Sequence, residues 1–306
     1  MIQLAHPAMN ALKWTLEHSA SHHRVNSSLA VRIGSISGLK TFPVVAQKVI
    51  SLLSKSDFTI DEITDTIRHD PSLAAGVLRL ANSPFYMATH PITSLDMALV
   101  RLGRNTVREV IFAVATMQLF PDTHGLGRLV RDHCATVAAL AHALSNRFRV
   151  GTPEVMFLAG LMHDIGIMLL IDSGEVMYTF SRNDARVNPD GFRDTELDQI
   201  GFDHAILGAQ VLSRWKVGAP IPQLVAYHHL PEFADKTPEI ASMMMLLRLA
   251  DALELYLNSK DASPGGFLAQ ERVRTEGHLL NINDSQWEPF WQDLVDTHTQ
   301  AKQLFS

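Results

Sequence analysis

The chain has 306 residues, 46% of them hydrophobic and 19% charged, with a mean hydropathy of +0.05. That composition belongs to a globular protein with one large core or two modest ones, and a net charge of −6 argues against a protein built to neutralise nucleic-acid phosphates. The single cysteine, Cys134, excludes an intrachain disulfide framework and fits a reducing cytoplasm.

Residues 1–35 read as a short helix, from Ala8 to His18, and a polar linker, without the basic-then-apolar pattern of a secretory leader. From residue 36 helical periodicity dominates, and the expectation is an all-α protein. Phe42, Val45, Val49 and Leu52 form one apolar stripe; Ile60, Ile63 and Ile67 form another. Thr59-Ile-Asp-Glu62 predicts a capping box, in which Thr59 accepts from the first turn and Glu62 reaches back. Asp70-Pro71, Thr152-Pro153 and Thr237-Pro238 each put a capping side chain before a proline at the first helical position. Asn82-Ser83-Pro84 stops a helix, with Asn82 read as a cap for loose backbone groups.

A loop, "FPDTHGLG", separates a first helical block (about 36–120) from a second (about 125–258). "SKDASPGG" ends the second block. The remaining extension, 259–306, carries an amphipathic aromatic segment with Trp287, Phe290, Trp291 and Leu294, expected to pack on its own domain. Within the second block, "VMFLAGLMHDIGIMLLI" (155–171) is apolar except for His163 and Asp164 at its centre. It is short and costly for a lipid-spanning helix, so a buried helix is expected and no membrane role.

Five of the fifteen histidines face inward by pattern; the other ten read as surface or hydrogen-bonded core residues. His133 shares a stripe with Val130, Val137, Leu140 and Leu144, and His204 shares one with Leu207, Gly208, Val211 and Trp215. His228-His229 end the helix begun near Pro222, and Asp251 interrupts the apolar face of Met244, Leu247 and Leu255. A buried ionised carboxylate must be paired or hold a cation. Two aspartates with several histidines and almost no cysteine suit iron, manganese, nickel or zinc, as one or two ions. A metal-free histidine–aspartate hydrogen-bond network is the alternative that spacing leaves open.

The order His133, His163-Asp164, His204, His228-His229, Asp251 resembles the HD superfamily of metal-dependent phosphohydrolases, in the fuller arrangement of its two-metal HD-GYP branch. The resemblance implies His133, His163, Asp164 and Asp251 as core ligands. It implies His204, His228 and His229 for a second position, with Asp164 as the bridge and the residue on which catalysis would depend. "LKTFPVVAQKVISLL", "HDPSLAAGVLRLANSPFY" and "ITSLDMALVRLGRNTVREVIF" resemble the HDOD (HD-related output) domain, over about 36–232. That implies an N-terminal helical subdomain and an HD-like helical core, together 36–258, in a bacterial signal-transduction protein. Such a protein acts through signalling partners or a nucleotide ligand.

Two departures argue against cyclic di-GMP hydrolysis. Active HD-GYP enzymes read HDIGK, whereas Ile167 stands at the lysine position here, and no GYP-like motif follows His229. Arg79, Arg101, Arg104 and Arg108 offer positive charge but read as solvated helix faces. The expectation is therefore a regulatory HDOD protein with a retained HD-type metal site, and metal-dependent phosphohydrolysis is the alternative.

Overall fold

Helix caps fall where the sequence puts them, and they set the element boundaries of the computed structural model. Thr59 and Glu62 form both halves of the capping box on α2, while Asp70 and Thr152 accept from the third residue of their helices. Residues 33, 36, 40–55, 57–83, 86, 90–120, 125–179, 190–229, 238–258, 262–270, 273–275, 277, 280 and 282–302 are described. The expected helix from Ala8 to His18, the Thr237 cap and the Pro84 stop lie outside them. Among the described residues the chain is α-helical, with short 3-10 turns and no strand.

The chain divides into two units, 40–122 with 299–306 and 123–298 with 1–39. The smaller contains α1 (Val44–Leu53), α2 (Ile60–Arg68), α3 (Pro71–Ala81) and α4 (Leu95–Gln118). Helix α4 is two stretches meeting at Gly103, whose φ of 74° breaks the helical path. The buried face of α1 is Ala46, Val49 and Leu53, following Phe42; Val45 and Leu52 of the expected stripe are only half-buried. The face is rotated by one position because Phe42 precedes the helix, in an extended entry, and packs against Phe112 with ring centroids 5.2 Å apart. Ile60 also departs from its stripe: as the first residue of α2 it is 37% exposed, whereas Ile63 and Ile67 are fully buried.

Asn82 does more than end α3. Its amide donates to the Leu78 and Ile92 carbonyls, each at 2.8 Å, and its oxygen accepts from the Ile92 backbone N–H at 2.7 Å. One side chain thus satisfies both backbone groups of Ile92, a residue buried with Ala81 and Ala98 in a small core cluster. Arg101 donates to the His90 carbonyl, and Arg104 to that of Lys55, with its guanidinium over the Phe58 ring.

The larger unit contains α5 (Leu126–Phe148), α6 (Pro153–Met162), α7 (Ile165–Ser173), α8 (Asp190–Ile200), α9 (His204–Arg214), α10 (Ile221–Tyr227), α11 (Pro238–Leu257), α12 (Pro264–Leu268) and α13 (Trp291–Ala301, placed in this unit as far as His298). Helix α5 packs on α6, α7 and α11, α9 packs on α7 and α10, and α10 also meets α6 and α11. The α5–α6 crossing is close because Gly160 has no side chain: a Cβ there would stand 2.7 Å from the Ala138 Cα. The apolar run 153–173 passes for a membrane span by length and composition, but 78% of its apolar window is buried inside the unit. It is two helices joined at a His163–Asp164 turn. The aromatic tail closes on the same unit, with Trp287 buried between Phe148 (5.5 Å) and Phe267 (5.4 Å).

Replacing Asn82 by Ala should lower unfolding stability by about 1–2 kcal/mol, because both Ile92 backbone groups lose their partner. Urea unfolding checks this, with Asn82→Asp intermediate since its oxygen still accepts from Ile92.

Candidate metal centre

The break between α6 and α7 explains why an imidazole and a carboxylate sit in an apolar run. His163 closes α6 and Asp164 occupies the N-cap of α7, yet Asp164 makes no capping bond to its own helix. Its carboxylate turns instead into a ring of histidines carried by α5, α6, α9 and the end of α10. Oδ2 lies 3.3 Å from His163 Nε2 and 3.7 Å from His133 Nε2. Oδ1 lies 3.3 Å from His204 Nε2 and 3.5 Å from His228 Nε2.

Each ring is oriented from behind. His163 Nδ1–H donates to the Gly160 carbonyl at 2.8 Å and His228 Nδ1–H to that of Val225 at 2.7 Å. His133 Nδ1 meets Glu254 Oε2, and His204 Nδ1 meets Glu196 Oε2, both at 2.7 Å. With Nδ1 carrying the proton, the neutral form of each of the four rings presents the Nε2 lone pair to the centre. Those nitrogens stand close together: His133 Nε2 lies 3.3 Å from His163 Nε2, and His204 Nε2 lies 2.8 Å from His229 Nε2, each a hydrogen bond when one ring of the pair carries a proton on that nitrogen. The Nε2 of His228 is buried with no hydrogen-bond partner. Nitrogen lone pairs that face one another repel unless a proton or a metal ion lies between them.

Two groups of donor atoms satisfy the spacing of a metal site, each with its atoms within 4.8 Å of one another: His133, His163 and Asp164, and Asp164, His204, His228 and His229. Asp164 belongs to both. Asp251, on α11, stands beside the first group with Oδ1 3.3 Å from His133 Nε2. All seven residues singled out in the sequence therefore come together in the larger unit. Their chemistry, imidazole nitrogen with carboxylate oxygen and no thiolate, fits a divalent transition ion.

The electrostatics express the same demand. Burial opposes charge on His163, but Asp164 outweighs it and the pKa is pushed up to about 10. Against the same burial, Glu254 and Asp251 raise His133 well above the ordinary histidine value, and Glu196 and Asp164 do so for His204. Asp164 is held well below the carboxylate range, since the surrounding rings overcome its desolvation. Burial lowers His228, and burial with the neighbouring His228 and His204 lowers His229 further. The carboxylates thus call for positive charge at the centre, while two of its five rings refuse a proton. A metal ion meets both conditions.

Sequence reasoning missed Glu196 and Glu254. Glu254 had a faint signal: it is an acid one turn after Asp251 in a largely apolar helix, 6% exposed. Glu196 had none, because α8 is polar throughout (DGFRDTELDQI) and nothing in its pattern marks the one glutamate that is fully buried.

The HDOD domain family model matches residues 39–231. The chain belongs to the HDOD family. Its architecture is shared by a crystal structure from Shewanella amazonensis SB2B provisionally assigned as a phosphohydrolase, with 21% identity, a TM-score of 0.65 and coverage of 90% of this chain and 98% of that one. It is also shared by a protein from Marinobacter aquaeolei VT8 provisionally assigned to signal transduction, with 18% identity, a TM-score of 0.62 and coverage of 99% and 68%. At these identities the likeness is one of fold. An uncharacterized protein of Treponema pallidum is 22% identical over 266 residues; that match takes in 84% of this HDOD chain, which spans about half the length of the curated relative.

A close backbone contact holds the two donor groups together. A Cβ on Gly166 would lie against the His204 carbonyl, 2.7 Å from its carbon and 2.8 Å from the His204 Cα. Gly166→Ala should therefore cost about 1–3 kcal/mol and weaken metal uptake by displacing His204 from Asp164. Gly208→Ala meets the side chains of Ile165 and Val225 at 3.1 and 3.2 Å and the Gly166 backbone nitrogen no closer than 3.4 Å, and should cost less. Thermal melting with and without added metal ranks the two.

Proposed function

We propose that this HDOD protein is a regulatory module whose histidine–aspartate centre binds two divalent transition ions, and through them a phosphate-bearing ligand of the nucleotide class. The carrying observation is the division of Asp164, with Oδ2 toward His133 and His163 and Oδ1 toward His204 and His228. A carboxylate aimed this way would help to hold an ion in each of the two donor groups, one oxygen toward each. Iron, manganese, nickel and zinc all suit the donor set.

The centre is open on one side. The side chains of Asp164 and Asp251 are 14% exposed and that of His133 16%, whereas His163, His204 and His228 are exposed by 3% or less. Structural metal sites are closed, and sites that meet a ligand keep an open position. Ions bound here would supply Lewis acidity toward a phosphoryl oxygen and lower the pKa of a bound water. The chain's own part is to orient the rings through their Nδ1 partners, to shield the inner three histidines from solvent and to bring Asp164 and Asp251 to the open edge.

The open edge favours a second reading, metal-dependent phosphoester hydrolysis. Against rapid turnover stands Ile167, which is 2% exposed and offers no charge to a phosphate. Support for a signalling role is the HDOD family itself, together with the signal-transduction assignment of the Marinobacter relative. Partner proteins inside the cell would then carry the output.

The test is to purify the protein without added metal or chelator and measure its metal by inductively coupled plasma mass spectrometry. The loaded protein is then offered nucleotides and a generic phosphodiester. Close to two ions per chain, with nucleotide bound and no product, is the expected result. Product formation lost in Asp164→Asn would make the hydrolytic reading the correct one. A folded protein that takes up no metal when offered it would overturn both.

A further inference from the structure

Each half of the centre contains one histidine backed by a backbone carbonyl and one backed by a buried glutamate. In the first half His163 leans on Gly160 and His133 on Glu254; in the second His228 leans on Val225 and His204 on Glu196. Neither glutamate can ligate an ion at the centre, because each binds the Nδ1 edge of its ring, away from Nε2. We propose that Glu254 and Glu196 are positioning residues that set the affinities of the two metal positions separately, and that Tyr178 ties the second position to the segment following α7. This inference rests on the two-metal reading above.

The two glutamates are held differently. Glu254 Oε2 accepts from His133, while Oε1 accepts from Asn258 Nδ2 at 2.5 Å, just past the end of α11. Its support is therefore local to the helix that also carries Asp251. Glu196 has a longer reach. Its Oε2 accepts both the backbone N–H and the Nδ1–H of His204, each at 2.7 Å, and its Oε1 accepts from the Tyr178 hydroxyl at 2.7 Å. One turn on, Gln199 accepts from the Met177 N–H at 2.8 Å and donates to the Met177 carbonyl at 3.0 Å. One turn back, Arg193 pairs at 3.0 Å with Asp203, which caps α9 at Ile206. Helix α8 thus grips the stretch around Met177 and Tyr178 with one set of side chains and the start of α9 with another, and Glu196 belongs to both sets. Met177 itself is 73% exposed.

A carboxylate behind an imidazole fixes the ring and strengthens Nε2 as a donor, and losing such a partner typically weakens metal binding 10–100-fold. Because the partners are separate, the losses should be separate. Full-length apoprotein titrated with Co(II), whose visible absorption reports coordination, should give two stepwise affinities. Glu254→Gln keeps the shape and the hydrogen bond to His133 but removes the charge and the bond from Asn258, and should weaken the step belonging to the His133 position about 10–100-fold with the other step unchanged. Glu196→Gln should do the reverse. Tyr178→Phe, which removes one of three bonds to Glu196, should weaken the same step as Glu196→Gln by a smaller factor, and it carries the test if the buried Glu196→Gln protein does not fold.

Variants that weaken both steps equally, or leave both within about twofold of wild type while wild type binds two ions, overturn this inference and leave the metal reading standing. A wild type that binds fewer than two ions overturns the two-metal reading, and the inference with it.

Discussion

The larger unit is organised around a carboxylate that does not cap its own helix. Asp70, Thr152 and Asp203 all accept from the first turn of the helices they precede. Asp164 stands in the same position and forgoes that bond, a sacrifice of about 1 kcal/mol. What it faces instead are imidazoles from three other places in the chain. A buried anion can stand there only while positive charge is supplied within a few ångströms. The turn between α6 and α7, the inward stripes of α5 and α9 and the two histidines closing α10 all follow from that requirement.

Glycine sets how closely the helices bearing these groups can approach. Gly160 lets α6 lie on the backbone of α5, which brings His163 against His133, and Gly166 lets α7 lie on the first residue of α9, which brings Asp164 against His204. A side chain at either place would meet main-chain atoms, which cannot move aside as a side chain can. The centre is therefore positioned by backbone contact first and by hydrogen bonds second. The ring orientations are then finished by partners outside the ligand set.

Much of this was legible in the sequence, for identifiable reasons. Caps are local chemistry, so Thr59, Asp70 and Thr152 could be assigned from a few neighbours. Polar residues interrupting apolar stripes are conspicuous, so His133, His204 and Asp251 stood out from their own helices. Where a helix face is decided by residues beyond the helix, local pattern failed. The α1 stripe turned by one position to follow Phe42, and Ile60 was left exposed at the first position of α2. Glu196 is the extreme case. It is buried only because α8 lies across His204, and no periodicity within a polar helix can report what a distant segment will cover.

The hydrogen bond between His133 and Glu254 spans 121 positions of sequence, and the donors to the centre are distributed across that interval. Only His163-Asp164 and His228-His229 are neighbours in the chain, so the centre closes only after the long-range packing of α5 on α11 is in place. An ion held there would act as a cross-link, stapling a large loop whose closure entropy the folding chain has already met. It would favour the native state over the unfolded one by mass action and slow the first opening of the unit. For such a chain, metal supply in the cell would govern how long the protein lasts as well as what it can bind.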